Sequence, residues 1–434
     1  MKIYPYPSAA ANRKLAAVLD RGLTFRKKDT QSVARILEDV RKHGDKALVD
    51  YTRRFDAPGM TVETLAVPEE EIRSAAKTVD RAFNRALNRA ASQIEAFHRR
   101  QLPKSWIATD RPGTFLGQMV HPVGRAGVYV PGAKGGKTPL VSSVLMGAIP
   151  AKIAGVGEIV MATPPMENGQ VNAHLLAAAR KVGIDKVFRV GSAWAVGALA
   201  YGTATIPKVD VIVGPGNIFV TLAKKMVAGT VGIDMIAGPS EILIIADEDA
   251  NPAWAAADLL SQAEHDVLAS AVLITPSQAL AEAAVDAVAV QLDSLSRKDI
   301  AAESLKRFGA VLVVSDLSAA VALANRIAPE HLELQVKAPF DLLSEVRNAG
   351  AVFLGGHTPE PIGDYIAGPN HVLPTAGTAR FSSALSVEHF LKKTSVLRYS
   401  PEAFRREAAD AARLAEVEGL DAHARSIRVR LKKG

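Results

Sequence analysis

The sequence predicts an α/β protein built on doubly wound parallel sheets, with small helical segments at its N-terminal and C-terminal ends. Three observations predict it. Seven short β-rich runs lie between residues 127 and 316, Ala-rich helical stretches separate them, and several of the runs end in Gly, Pro or Asp. The runs are GVYVP (127–131), EIVMATP (158–164), KVFRVG (186–191), DVIVGPG (210–216), ILIIAD (242–247), SAVLITP (270–276) and AVLVVSD (310–316). Ligands on such sheets gather at the carboxyl ends of the strands.

Ahead of the strands, residues 30–55 and 68–101 read as amphipathic helices. Val33, Ile36, Leu37 and Val40 fall at helical spacing with Gly44 as a stop, and Pro68 followed by Glu69, Glu70 and Glu71 suits a first helical turn. Residues 355–380 are rich in Gly and Pro with little periodicity, and a loop of that length in a compact chain is usually functional. From 401 the chain is helical again, charged and Ala-rich.

Composition narrows the chemistry. A chain of 434 residues is long enough for two to four domains, and 48% hydrophobic with 22% charged residues is an ordinary globular balance. With no cysteine, disulfides and thiolate metal sites are excluded, so any metal is bound by His, Asp, Glu or a neutral oxygen. The first residues lack an uninterrupted apolar stretch and no apolar run reaches membrane-spanning length, so neither a signal peptide nor a membrane span is expected and the cytoplasm is the default location. The net charge of +7 is spread along the chain apart from RSIRVRLKKG near its end, which reads as solvated surface rather than a nucleic-acid footprint; a modest positive field also suits an anionic dinucleotide. Two motifs mislead. PGAKGGKTP (131–139) has Pro131 where a phosphate loop needs glycine and reads better as a Gly-rich strand-to-helix turn, and no GxGxxG follows a strand.

The informative residues are the histidines and the acids beside them. His43, His98, His121 and His174 sit in ordinary contexts, and His357 and His389 have weak claims. In SQAEHD (261–266), Gln262 and His265 share a helix face and suit chelation of one ion, the bland alternative being a polar helix end. In APEHLEL (328–334), Glu330 and His331 stand side by side, so two groups of different basicity address two different protons, unless this is a solvated turn. GDYIAGPNHVLPTAGTARFSS (363–383) holds Asp364 and His371 in a backbone-constrained loop, and EGLDAHARS (418–426) carries Glu418 and His423.

The order of these four segments resembles that of the histidinol dehydrogenase family. The resemblance runs through GVYVPG (127–132), ALAYGTATIPKVDVIVGPGN (198–217), AGPSEILIIAD (237–247), DLLSQAEHD (258–266), PEHLEL (329–334) and 363–383. It implies an NAD-linked, zinc-dependent oxidation of L-histidinol to L-histidine through L-histidinal, with one zinc per subunit. It implies Gln262, His265, Asp364 and His423 as zinc ligands, Glu330 and His331 as the catalytic pair, and Ser240, His371 and Glu418 as further substrate contacts, beside the zinc ligands and His331. Tyr129 and Asn217 are implied as dinucleotide contacts. Trp194 stands where many members carry a cofactor-touching glutamine, and indole donates one hydrogen bond but accepts none. The family further implies a homodimer whose C-terminal segment crosses over to the partner's site, with no nucleic acid or membrane involved. The expected division is an N-terminal arm (1–26), a first Rossmann-like domain in two pieces (27–130 and 241–385) with most of the zinc and catalytic site, a second, dinucleotide-binding Rossmann-like domain (131–240), and a helical crossover segment (386–434). Rival readings are a relative acting on another small alcohol, against which Glu418 argues where that substrate is anionic, and a binding protein that has lost catalysis.

Overall fold

A computed structural model describes residues 1–21, 25–133 and 138–431. They form two compact units, Met1–Gln101 with Val123–Phe390, and Leu102–Pro122 with Leu391–Gly434. The larger unit holds two parallel sheets. In the first, six strands run in the order Ile3–Pro5, Ala310–Val313, Ser270–Thr275, Glu241–Ala246, His331–Gln335, Ala351–Leu354. Both faces are covered. Leu243 and Ile245 pack with Val272 and Ile274 against helices Ala9–Leu19 and Leu317–Ile327. Ile242 and Ile244 turn to helices Pro252–Ala263, Gln278–Leu292 and Lys298–Phe308. That two-sided burial is why these strands read as unbroken apolar runs. Helix Pro252–Ala263 starts where the Asn251 side chain accepts the Ala253 and Trp254 N–H groups and Pro252 supplies a pre-set φ.

The second sheet has the strand order Gly232–Ile233, Val211–Val213, Arg125–Tyr129, Glu158–Thr163, Lys186–Arg189. Helix Val141–Ala154 lies close to it at Gly147, where a Cβ would come 2.6 Å from the Val128 side chain. The other face is covered by helices Lys27–His43, Asp45–Phe55, Ser192–Tyr201 and Ile218–Val227 in one continuous core. Gly44, at φ 52, separates the first two of these helices, as its sequence position suggests. All seven β-rich runs are strands, and 68–101 is two helices, Glu69–Thr78 and Arg81–Arg99. The Gly-rich turn expected at 131–139 lies partly outside the described residues.

The division of the chain differs from the expected one in three places. Residues 27–55 and the strand Arg125–Tyr129 share their core with the 131–240 sheet rather than with 241–385, because the apolar stripe of Val33, Ile36, Leu37 and Val40 meets Ala193–Ala200. Ile3–Pro5, expected in an N-terminal arm, is an edge strand of the six-stranded sheet, paired with Ala310–Val313. The smaller unit takes in 102–122 as well as the chain end, since Thr114–Pro122 pairs antiparallel with Leu391–Tyr399. Trp106–Ala108 completes its sheet, and helices Pro401–Val417 and Asp421–Arg428 follow. Among the described residues no helix is long and apolar enough to cross a membrane.

Candidate active site

His331 opens the strand His331–Gln335, opposite Ile242, and Glu330 immediately precedes it. The strands of the six-stranded sheet thus carry this pair at the opposite end from the carboxyl ends where ligands on such sheets gather. The pair sits at the amino ends, where helix Pro252–Ala263 returns with Gln262 near its end and His265 just beyond it. The His331 ring is fixed. Its Nδ1 lies 2.9 Å from the Glu241 carbonyl oxygen, which only accepts, so Nδ1 carries the hydrogen and Nε2 the lone pair. Nε2 is buried without a hydrogen-bond partner, 3.9 Å from Glu360 Oε1 and 3.9 Å from Asp364 Oδ1. Burial lowers the imidazole's pKa, with the Asp364 charge opposing, so the ring is a neutral acceptor.

Glu330 and Glu241 hold each other. The Glu241 N–H donates to Glu330 Oε2 at 2.9 Å, and the Glu330 N–H donates to Glu241 Oε2 at 3.2 Å. Glu241 Oε1 also takes the Ala376 N–H and the buried Arg21 guanidinium. Burial, then the negative charge of Glu241, pushes the Glu330 carboxyl well above the usual carboxylate range. One guanidinium thus faces two buried carboxylates, and burial pushes both of them upward.

The Gly/Pro-rich loop brings Asp364 and His371 to the same place, with His371 Nδ1 3.9 Å from Asp364 Oδ2 and a cavity of about 130 Å³ beside them, lined by Phe353 and Asn370. Gly368, at φ +117, lets this loop lie against helix Arg81–Arg99, where a Cβ would be 2.8 Å from the Gln93 carbonyl oxygen. Gln262 is 1% exposed with Oε1 unpartnered, as is His371 Nε2. His265 is exposed, near enough to His331 for their charges to interact. Ser240 lies directly before the strand Glu241–Ala246. Sequence reasoning missed Glu360, although its spacing of four from Asp364 on a helical turn was a usable signal. Donor atoms of His331, Glu360 and Asp364 lie within 4.8 Å of one another. Buried orphaned imidazole nitrogens on His331 and His371, both rings within 3.9 Å of the Asp364 carboxylate and without thiolate, fit a zinc-type cation. Asp364 belongs both to this cluster and to the expected ligand set. Glu418 caps helix Pro401–Val417, and His423 is exposed on Asp421–Arg428; both belong to the smaller unit.

The five-stranded sheet does present its carboxyl ends. Tyr129 closes its strand, and its hydroxyl accepts the Ser192 N–H at 3.1 Å. Asn217 caps helix Ile218–Val227, an N-terminus suited to phosphate. The turn before it is clamped. Lys224 Nζ donates to the Gly214 carbonyl at 2.8 Å and pairs with Asp234, whose Oδ2 accepts the Gly214 N–H at 2.8 Å. Gly214, at φ +118, passes so near Tyr129 that a Cβ would meet its carbonyl oxygen at 2.0 Å. Trp194 is a core residue. Its indole packs against both Tyr51 and Phe55, with ring centroids 5.8 and 5.6 Å away, and Nε1 donates to Thr52 Oγ1 at 3.2 Å.

Near this end, burial pushes the Asp56 carboxyl up to about 6, and its Oδ2 has no hydrogen-bond partner. A folded pKa above the ordinary 3.8 means the neutral form is favoured by folding. The associated stability is complete below about pH 4 and is lost as pH rises through about 6. Asp56→Asn is expected to stabilise the protein at pH 8 by about 1–2 kcal/mol, discounted for the solvent that reaches the group, and to do nothing at pH 4. Thermal melts at the two pH values test this, and equal shifts at both would refute it.

Comparison with known proteins gives one answer. The family profile described as "Histidinol dehydrogenase" matches residues 20–431. The chain is 55% identical to the histidinol dehydrogenase of Desulfotalea psychrophila over 401 residues, 92% of each chain. It is 52% identical to that of Syntrophotalea carbinolica over 432 residues, 100% of this chain and 99% of the other. A crystal structure of histidinol dehydrogenase from Elizabethkingia anophelis superposes with a TM-score of 0.92 at 36% identity, covering 99% of this chain and 98% of that one.

Proposed function

The chain belongs to the histidinol dehydrogenase family, and we propose that Glu330 and His331 are the proton-transfer pair with which it oxidises L-histidinol to L-histidine. The overall change consumes the alcohol, a water and two NAD⁺, and yields the carboxylate, two NADH and three protons. When bound, NAD accepts the hydrides and zinc anchors the substrate as a Lewis acid. The residues do the rest. His331 Nε2 takes the hydroxyl proton in the alcohol step, and its lone pair is the observation that carries the reading. Glu330, once deprotonated, is a stronger base than an exposed carboxylate and activates the water that hydrates the aldehyde. Gln262, His265 and Asp364 hold the metal with His423, while Ser240, His371 and Glu418 orient the substrate. Holding the substrate by its non-reacting end retains the aldehyde between the two oxidations. Tyr129 and Asn217 contact the dinucleotide, and Trp194 shapes that site by packing rather than by a hydrogen bond. We place Glu418 and His423 in the partner's site of a cytoplasmic homodimer. Counting NADH per histidinol tests the two-step reading, for which about two are expected with little free aldehyde. A count of one with accumulating aldehyde would sink it.

A further inference from the structure

Along the strand His331–Gln335 every second residue is polar, and all five residues are buried. His331, Glu333 and Gln335 therefore share one face. In a parallel sheet covered on both sides, that face is ordinarily apolar. Below His331 the stripe runs into a closed set of hydrogen bonds. Glu333 Oε1 accepts the Glu360 N–H at 2.9 Å. Gln335 Nε2 donates to Glu333 Oε2 at 2.7 Å and to Asp258 Oδ2 at 2.7 Å. Asp258 lies on helix Pro252–Ala263, one turn before Gln262, and Glu360 lies one turn before Asp364.

We propose that Glu333, Gln335 and Asp258 are positioning residues for the metal site, a buried brace that fixes three chain segments to one another. The segments are the strand with His331, the helix end with Gln262 and His265, and the turn with Asp364. The reading rests on the proposed ligand set. Neither carboxylate of the brace touches the reacting atoms. Each is 8% exposed or less, and two buried carboxylates bridged by a single carboxamide are costly unless their geometry serves something. An apolar stripe would fill the space equally well but would not register the helix and the turn to the strand, because dispersion contacts lack direction.

The polarity of the brace supplies a test. Gln335 gives both hydrogens of its amide and both oxygens of Glu333 accept N–H groups, so Glu333→Gln sets an NH₂ group against a donor whichever way its amide turns, and Gln335→Glu sets a third carboxylate against two. The triple variant Glu333→Gln, Gln335→Glu, Asp258→Asn reverses every donor and acceptor while the residue-333 side chain still accepts the Glu360 N–H. Zinc affinity of the holoenzyme is measured by chelator competition, and KM and kcat for histidinol and NAD in parallel. Each single variant is expected to bind zinc at least about ten-fold more weakly and to raise the KM for histidinol while leaving that for NAD unchanged. The triple variant should regain most of the zinc affinity. Single variants that melt cooperatively yet hold zinc like the parent would overturn the proposal, and so would a zinc loss that the triple variant does not repair. A fall in melting temperature with zinc affinity intact would mark the network as structural only. Should Glu333→Gln not fold, Gln335→Glu carries the same comparison with the triple variant. Failure of the ligand set itself is distinguishable, because His265→Ala would then leave zinc affinity unchanged.

Discussion

His331→Asn is expected to lower turnover by about 10²–10⁴-fold with histidinol and with histidinal alike, the usual scale for loss of a general base. Asparagine is chosen because its amide can still donate to the Glu241 carbonyl that now holds Nδ1, so the strand start and the Glu330–Glu241 exchange remain in place. What disappears is the lone pair on Nε2, and both oxidations need it, since each removes a hydride from a carbon whose hydroxyl proton must leave. Glu330→Gln makes the contrast. The amide oxygen still accepts the Glu241 N–H, but the group no longer takes a proton from water. It should slow the aldehyde step far more than the alcohol step. Separate initial rates with the two substrates decide the matter. Equal losses in both steps for Glu330→Gln would remove the assignment of water activation to that carboxyl, and a His331→Asn enzyme within a few-fold of the parent would remove His331 as the base.

Mixed dimers of two inactive variants should recover activity. His265 and His423 belong to different compact units of the chain, and His423 is exposed on its helix. A four-coordinate site that loses one protein ligand binds zinc much more weakly, so His265→Ala and His423→Ala homodimers are each expected to be nearly inactive. If each site takes His423 from the partner, a heterodimer has one site with both lesions and one with neither. It then returns up to about half the parent activity, with about one tightly held zinc per dimer. If each site is built from one chain, both sites of the heterodimer stay damaged. Absence of recovery after verified subunit exchange refutes the crossover and leaves the four ligands untouched.

The parts of this fold that were legible in the sequence are those where burial is apolar. ILIIAD and SAVLITP read as strands because both faces of their sheet are covered. HLELQ did not read as one, because His331, Glu333 and Gln335 put polar groups on a face whose burial depends on partners at Asp258 and Glu360, remote in sequence. The antiparallel pair Thr114–Pro122 and Leu391–Tyr399 escaped for the opposite reason. The 391–399 strand is largely exposed and carries no apolar alternation strong enough to separate it from loop. The grouping of helices 27–55 with the wrong sheet shows that an amphipathic stripe declares that it will be buried, not against what. At the site, Glu330 and His331 were visible as neighbours. Glu241 was visible only as the residue ahead of the ILIIAD run, and its role depends on Arg21 and on the backbone of Ala376, neither close to it in the chain.

That last dependence bears on the order in which the molecule assembles. Glu241 and Glu330 are 89 residues apart and come together when two adjacent strands pair, whereas Arg21 reaches Glu241 across 220 residues. Closing the larger span costs more chain entropy and is the slower event. The strand Ile3–Pro5 must likewise wait for Ala310–Val313 before it has an edge to join. On this ordering the two carboxylates meet before their guanidinium arrives, a stage at which burial disfavours their charged forms. Docking of that N-terminal stretch sets the Arg21 guanidinium against Glu241, where its charge opposes the upward push that burial exerts on the carboxyl.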